Sequence, residues 1–465
     1  MALSFRGGIL PEGEKKTARQ PIEKVQASGF VTIPLLQHLG EAAQPLVKVG
    51  DRVLKGQKIG ETQGELSAPV HASVSGTVVK IVTVHTAVGE TQAIVLENDF
   101  KETLCSSVKP FDTPIFQAQP EDLVEQIREK GIVDQGDRAL PAWSKIRSAQ
   151  GKVTRLIVNC VEAEPYLTST HQLLLEHGEE VIGGVKILLR AIGAQRAIFA
   201  IENGKEDAVE SIVKVIGGSD SFVIARMNGK YPQGSERHLI WSLMHKEIPQ
   251  NARSEDLGAV VFSAQTCWAV YRAFVMGMPH IQRLITVSGN CVKDPANLLV
   301  PVGTSFGELF ARCGGFSSKP DAILVGGPMQ GKAQESLEGP ITKDAAGLLA
   351  LQIQEFEPSS CIRCGRCVRV CPMHLMPLEL SRLVRVGRVG DARRLYGLDC
   401  CSECGCCSYV CPARIPLLQE ICAGKSAQNQ EIKSKFTKKI GYSCKKEKRK
   451  KSVEGTFDSP TTKEV

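Results

Sequence analysis

Four cysteines and a proline occur twice in this chain at one spacing, as CIRCGRCVRVCP from Cys361 and CSECGCCSYVCP from Cys401. Each run reads C-x2-C-x2-C-x3-C-P. Thiolates two residues apart can turn around one small inorganic cube, each reaching a different iron. The last cysteine lies too far along to join that cube, and the proline after it turns the chain away. The two runs therefore complete each other. Cys361, Cys364, Cys367 and Cys411 are expected to hold one [4Fe-4S] cluster, and Cys371, Cys401, Cys404 and Cys407 a second, in a bacterial ferredoxin-like domain over residues 350–423. Zinc is the competing reading, but zinc sites pair two C-x2-C units or mix in histidine. A third cysteine at x2 and a fourth before proline, all twice, has no zinc rationale. Cys400 and Cys406 are ambiguous neighbours, and register with the first repeat selects Cys401 and Cys407.

The rest of the composition frames this domain. A chain of 465 residues, 42% hydrophobic, can bury two or more cores. Abundant glycine, 43 residues, with 5% aromatics suits loop-rich α/β domains. Seventeen cysteines could suggest a disulfide scaffold, but the length, the odd count and an opening without the apolar core of a signal peptide argue against it. Cys105, Cys160, Cys267, Cys291 and Cys313 are scattered and read as buried small hydrophobes. No run of about 18 uncharged apolar residues occurs, so the expectation is a soluble chain on the cytoplasmic side, held at any membrane by partners or surface charge. The formal charge of +7 is uneven: Lys433 to Lys451 carries ten basic residues against Glu447, which leaves the body near −2. Between the cysteine repeats stand Arg382, Arg385, Arg388, Arg393 and Arg394. They read either as a solvated helical face or as a dock for an acidic electron carrier. No nucleic-acid partner is expected.

Upstream, the sequence changes character several times. After an N-terminal segment, 1–28, short β-branched runs alternate with Gly, Asp and Pro turns over 29–105. They are similar to lipoyl-type barrel-sandwich hybrid domains, but the tip ETQGELSAP has no lysine to modify, so a structural or docking module is expected. Over 106–280, EDLVEQIREKG reads as a helix, TRLIVNC as a strand, HQLLLEHGEEVIGGVKILLRAIG as one long helix, RAIFAIE as a strand, KEDAVESIVKVIG as a helix and SFVIAR as a strand. That alternation predicts α/β layering on a largely parallel sheet. Residues 281–340 give two strands, a helix and a strand, a β-grasp-like module, and 424–465 is a polar, then basic, tail read as disordered. The fold class is thus multidomain α/β with a cluster domain attached.

These pieces, in this order, resemble the C subunit of the Rnf electron-transport complex. The resemblance is carried by GGILPEGEKK, SAPVHASVSGTVVKI, VEAEPYLT, YPQGSERHLI, VPVGTSFGELF, ILVGGPMQG and CIRCGRCVRVCPMHLMPLELSRL, and runs from about Gly7 to Ala423. It implies a peripheral subunit on the cytoplasmic face of the cell membrane. Its partners would be integral membrane subunits and ferredoxin or a similar acidic carrier, in a complex that couples electron flow between ferredoxin and NAD to pumping of Na+ or H+. It also implies a central domain like the flavin-bearing subunit of respiratory complex I, meeting NAD(H) through FMN. Leu284 to Lys332 is similar to a soluble-ligand-binding β-grasp (SLBB) domain. The positions implied for cofactor contact are Gly136, Lys145, Asn159, Glu162, Tyr231, Glu236 and Thr266, with Glu164 and Gly234 also kept. The departures are specific. Where the family has G-x-G-G-A-G-F-P, this chain has DQGDRALP, Asp134 to Pro141; where it has paired asparagines, Phe262 and Ser263 stand. Asp134 and Asp137 put negative charge where a flavin phosphate would come, while Lys145 still offers a positive one. The loop predicts that FMN binds the isolated chain weakly or not at all. A soluble carrier feeding another reductase, of the proline- or cobalamin-reducing type, is the alternative to a pump component. A non-redox scaffold comes third.

Overall fold

Glycine decides how closely the barrel strands approach. At Gly76 a Cβ would stand 1.8 Å from the Glu97 carbonyl, so the strands Gly76–Thr86 and Gly89–Asn98 pair antiparallel only with a bare backbone there. Phe30–Pro34 and Arg52–Val53 flank this hairpin, and a three-stranded sheet of Gln44–Pro45, Lys58–Glu61 and Val70–His71 makes the other wall. Val31, Ile33, Ile59, Val78, Ile94 and Leu96 fill the space between. The structure is a computed structural model and describes residues 2–64, 66–86, 89–136, 139–354 and 356–427. Asp137 and the basic run Lys433 to Lys451 lie outside the described residues. Contacts divide the chain into two compact units, Met1–Glu355 and Phe356–Val465.

Within the first unit, four parallel strands lie in the order Phe222–Met227, Arg196–Glu202, Arg155–Asn159, Ala259–Ser263. Their aliphatic runs bury both faces beneath helices, as parallel strands require. The single long helix expected after Thr170 is two helices, Ser169–Glu176 and Gly178–Ile192. His177 leaves the helical region at φ −128°, and Glu179 and Glu180 then favour a fresh helix N-terminus, although the apolar period continues across the break. The second helix packs on Ala264–Val275 through Gly183 and Gly184.

The β-grasp sheet takes strands from beyond 281–340. Gln282–Ser288 pairs with Ala296–Pro301 on one side and Gly347–Leu351 on the other, and Ala322–Val325 and Lys332–Gln334 follow. Ile22–Lys24 closes the opposite edge, parallel to Ala296–Pro301. The segment before residue 29 is therefore not a separate piece. Leu3 bridges Met227 and Ile9 bridges Tyr231 before that strand begins.

In the second unit each cysteine loop runs into a short helix, Arg366–Val370 or Cys406–Tyr409, then into a longer one, Pro377–Arg385 or residues 417–427. The last helix continues past the expected boundary at 423 and is fixed there: Lys425 Nζ donates to the Cys401 carbonyl at 2.9 Å. Of the scattered cysteines, Cys160, Cys267, Cys291 and Cys313 are buried, whereas Cys105 is only half-buried, on a surface turn.

Candidate functional site

The two cysteine loops have the same backbone. Arg363 and Glu403 take φ of 53° and 57°, Gly365 and Gly405 72° and 77°, and His374 and Arg414 55° and 53°. The left-handed residues coil each loop inward, so that the Arg363 and Glu403 amides donate to Cys361 and Cys401 Sγ, both at 3.4 Å. Leu375 N donates to Cys371 Sγ at 3.3 Å. Amides aimed at sulfur stabilise the thiolate form.

One cavity is lined by Cys361, Cys364, Cys367 and Cys411, three cysteines of the first run and the last of the second. The complementary four interact electrostatically. Burial first, then neighbouring thiols including Cys404 and Cys371, pushes Cys407 up to about 12; Cys401 is pushed up to about 12 by burial, with Cys404 and Cys371 adding to it. Cys371 feels Cys404 as well as its own repeat's Cys367. Such a crowded set is fully deprotonated only when cations compensate it. Cys406 is fully buried and hydrogen-bonded through its thiol to Cys404, and Cys400 is half-buried. Only register separates Cys406 from Cys407. Among the described residues no three His, Cys, Asp or Glu side chains converge on a single-ion site.

Charge around these loops agrees with the first of the two readings of the inter-repeat arginines, a solvated helical face. The arginines between the repeats are locally matched: Arg382 to Glu379 at 2.8 Å, Arg385 to Glu420 at 3.6 Å, Arg388 and Arg394 to Asp391, and Arg393 to Asp399 at 3.3 Å. Arg366, Arg369 and Arg414, by contrast, line an open groove with Tyr409 and Cys411, and none has an ion pair among the described residues.

In the first unit, four of the expected cofactor positions meet at the carboxyl ends of the parallel strands. Lys145, 4% exposed, donates to Asp134 at 3.0 Å and to Glu236 at 3.1 Å. Thr266 Oγ1 donates to Asp134 at 2.8 Å, and the Gly136 and Ser263 amides reach the same carboxylate at 3.3 and 3.4 Å. Lys145 therefore does not offer a free charge. Burial opposes its protonation, but Asp134 and Glu236 outweigh burial and raise its pKa above the usual lysine value. Phe262 is buried with its ring 5.3 Å from Lys145 Nζ, and Ser263 caps the helix that begins at Ala264.

The other three positions do different work. Asn159 donates to the Gly234 carbonyl at 2.8 Å, tying two loops. Glu162 caps the helix Ser169–Glu176, accepting from Thr170 N at 2.8 Å, and is held ionised despite burial by Lys205 and Lys15. Tyr231 is buried, and its backbone pairs with Ile9. Glu164 accepts from the Met329 and Gln330 amides, both at 3.1 Å, and so anchors the β-grasp loop.

Four family descriptions match along the chain: an RnfC barrel sandwich hybrid domain over 3–101, a Nuo51 FMN-binding domain over 127–272, an SLBB domain over 284–333 and a 4Fe-4S dicluster domain over 353–445. The C subunit of the proton-translocating ferredoxin:NAD(+) oxidoreductase complex of Clostridium ljungdahlii is 39% identical over 404 residues, 86% of this chain and 88% of that protein. The chain belongs to the RnfC family. The C subunit of the Na(+)-translocating ferredoxin:NAD(+) oxidoreductase complex of Acetobacterium woodii is 35% identical over 384 residues, covering 81% and 86%. The C subunit of the ion-translocating oxidoreductase complex of Rhodobacter capsulatus is 37% identical over 443 residues, covering 93% and 85%. Likeness to an NAD+-reducing [NiFe]-hydrogenase, at TM-score 0.49 and 19% identity over 68% of this chain and 65% of the other, is too slight to bear on the assignment.

The expected barrel-sandwich, flavoprotein-type, β-grasp and dicluster domains of an RnfC protein are thus all present. Sequence reasoning missed Lys15, whose amine donates to the Glu162, Glu164 and Leu167 carbonyls at 2.5–2.7 Å. It also missed the Lys205–Glu202 pair at 3.0 Å. Lys15 sits in the charged stretch GEKK, where nothing in hydropathy marks a buried amine.

Proposed function

We propose that this RnfC protein is the iron–sulfur electron-transfer subunit of a membrane-bound complex that couples electron transfer between ferredoxin and NAD to ion translocation. The observation that carries the reading is the grouping of eight thiols into two sets, each completed by the other repeat. Cys361, Cys364, Cys367 and Cys411 would hold one cluster, and Cys371, Cys401, Cys404 and Cys407 the other. Bound there, the clusters supply one-electron transfer. The chain's part is to aim backbone amides at the sulfurs and, with the Leu378, Ala413, Ile415 and Leu417 side chains, to limit water near the first set. No proton need move, so no acid, base or nucleophile is assigned.

Attachment at the cytoplasmic face of the membrane follows from partners, because no described helix is long and apolar enough to cross a bilayer. The groove of Arg366, Arg369 and Arg414 beside Cys411 is the surface for an acidic electron carrier such as ferredoxin, in place of the matched arginines between the repeats. The residues around Lys145 do not fit a flavin phosphate, since Asp134 already takes the donors. NAD chemistry then lies on a partner rather than on this chain. That same misfit favours the second reading, a soluble carrier serving another reductase.

Iron and sulfide analysis with membrane fractionation tests both. Anaerobically purified chain should carry eight iron and eight acid-labile sulfide, following from two cubes with four cysteines each. Stoichiometric zinc with little iron would sink the relay. A pump component should sediment with membranes and leave in detergent with integral partners. Recovery wholly in the soluble fraction would select the carrier reading.

A further inference from the structure

The floor of the central domain is built to hold an anion. Four kinds of donor converge: the lysine amine of Lys145, the hydroxyl of Thr266, the loop amide of Gly136, and the Ser263 amide at the start of the 12-residue helix Ala264–Val275. Such sets bind phosphate monoesters: backbone amides at a helix start and a glycine loop, with one cation. Here they close on a carboxylate of the same chain. Asp134 is 1% exposed and receives all four.

Beyond Asp134, one described residue before Pro141 keeps a glycine conformation. Ala139, at the position of the fourth glycine of the flavoprotein pattern, has φ +49°, a left-handed conformation that favours glycine. The frame is thus retained while its occupant differs. Charge points the same way. Glu236 already matches Lys145, so a phosphate of about −2 entering beside Asp134 would face two carboxylates, one buried and one half-buried, with one lysine between them. The nearby buried Arg283 is engaged with Gln135 and Gln265. Of the two carboxylates only Asp134 touches the helix start and the glycine loop together. Removing it frees the amides, the hydroxyl and half of the lysine's pairing at once.

We infer that Asp134 is the resident anion of this site, standing where a cofactor phosphate would bind, and that replacing it opens a phosphate-binding site in the central domain.

The experiment uses full-length, anaerobically purified protein carrying Asp134→Gly or Asp134→Asn. The asparagine keeps the side chain's size and carries the test if the glycine variant does not fold. The probes are inorganic phosphate, read as a shift in melting temperature against chloride at matched ionic strength, and FMN, read by fluorescence titration. The unsubstituted chain should show no phosphate-specific shift and no retained flavin. At least one folded variant should be stabilised by phosphate and bind FMN about tenfold or more tighter than the unsubstituted chain. Retention of one FMN per unsubstituted chain would overturn the inference. So would an equal phosphate response in all proteins, or folded variants that respond to neither probe. Iron content is unmoved in every case, so the inference and the relay reading fail separately.

Discussion

In the proposed crossed assignment Cys371 belongs to one repeat in sequence and completes the other's set of thiols, and it interacts with Cys404 of that set. Cys371→Ser should therefore remove the signal of the cluster held by Cys401, Cys404 and Cys407 and spare that of the first set. Paramagnetic resonance of the reduced protein, with iron falling towards four per chain, checks this; loss of the first set instead would refute the crossed assignment. Glu164 makes a pH prediction. Burial raises its carboxyl from 4.5 to about 7, against the Met329 and Gln330 amides that lower it. Between these values the folded state keeps a proton the unfolded chain has lost, so stability falls as pH rises from about 4.5 to 7 and then levels. Urea midpoints for Glu164→Gln should lose that slope; equal slopes in both proteins would assign it to another group. At this scale the sequence was readable where partners are close along the chain. The cysteine spacing marks a dicluster domain, and the crossed ligand sets it suggests await the test above. Asp134 could be seen to oppose phosphate, but not to accept from Thr266 and Ser263, because those bonds depend on a turn closing against the start of a helix some 130 residues later.

Helices and strands were legible where the apolar period was clean, as in the four parallel strands. They were misread where the period ran through a break, as at His177, or where a strand was too short to show one, as at Ile22–Lys24. Invisible too was why Gly183 and Gly184 are glycines. A Cβ at Gly184 would stand 1.8 Å from the Cys267 carbonyl, and one at Gly183 would meet the Tyr271 ring at 2.5 Å. Backbone cannot yield as a flexible side chain can, so Gly184→Ala must push the helices Gly178–Ile192 and Ala264–Val275 apart. Overpacking of this kind costs about 1–3 kcal/mol. Denaturation followed by tryptophan emission, to which Trp268 in the second helix contributes with Trp143 and Trp241, should show that loss. An unchanged midpoint would mean that the helices separate freely.

For the molecule in its setting, charge decides encounter more than affinity. Reversing Arg366 and Arg369 to Glu should leave iron content intact and slow reduction by an acidic carrier about tenfold or more at low salt, with the difference shrinking as salt rises. The same reversals at Arg388 and Arg394, already matched by Asp391, should matter less. Equal effects at both places would move the dock back to the inter-repeat helices.

The strap of residues 2–24 also has a consequence in time. Its partners, Met227, Tyr231, the Glu162–Leu167 carbonyls and the strand Ala296–Pro301, lie between about 140 and 275 residues further along. At synthesis rates of about 5–20 residues per second, the strap waits on the order of tens of seconds for its last partner to leave the ribosome. During that wait Lys15 is an ordinary solvated lysine, and Ile22–Lys24 is an edge strand whose sheet has yet to be made. The upstream half of the chain thus matures on a schedule set by its downstream half.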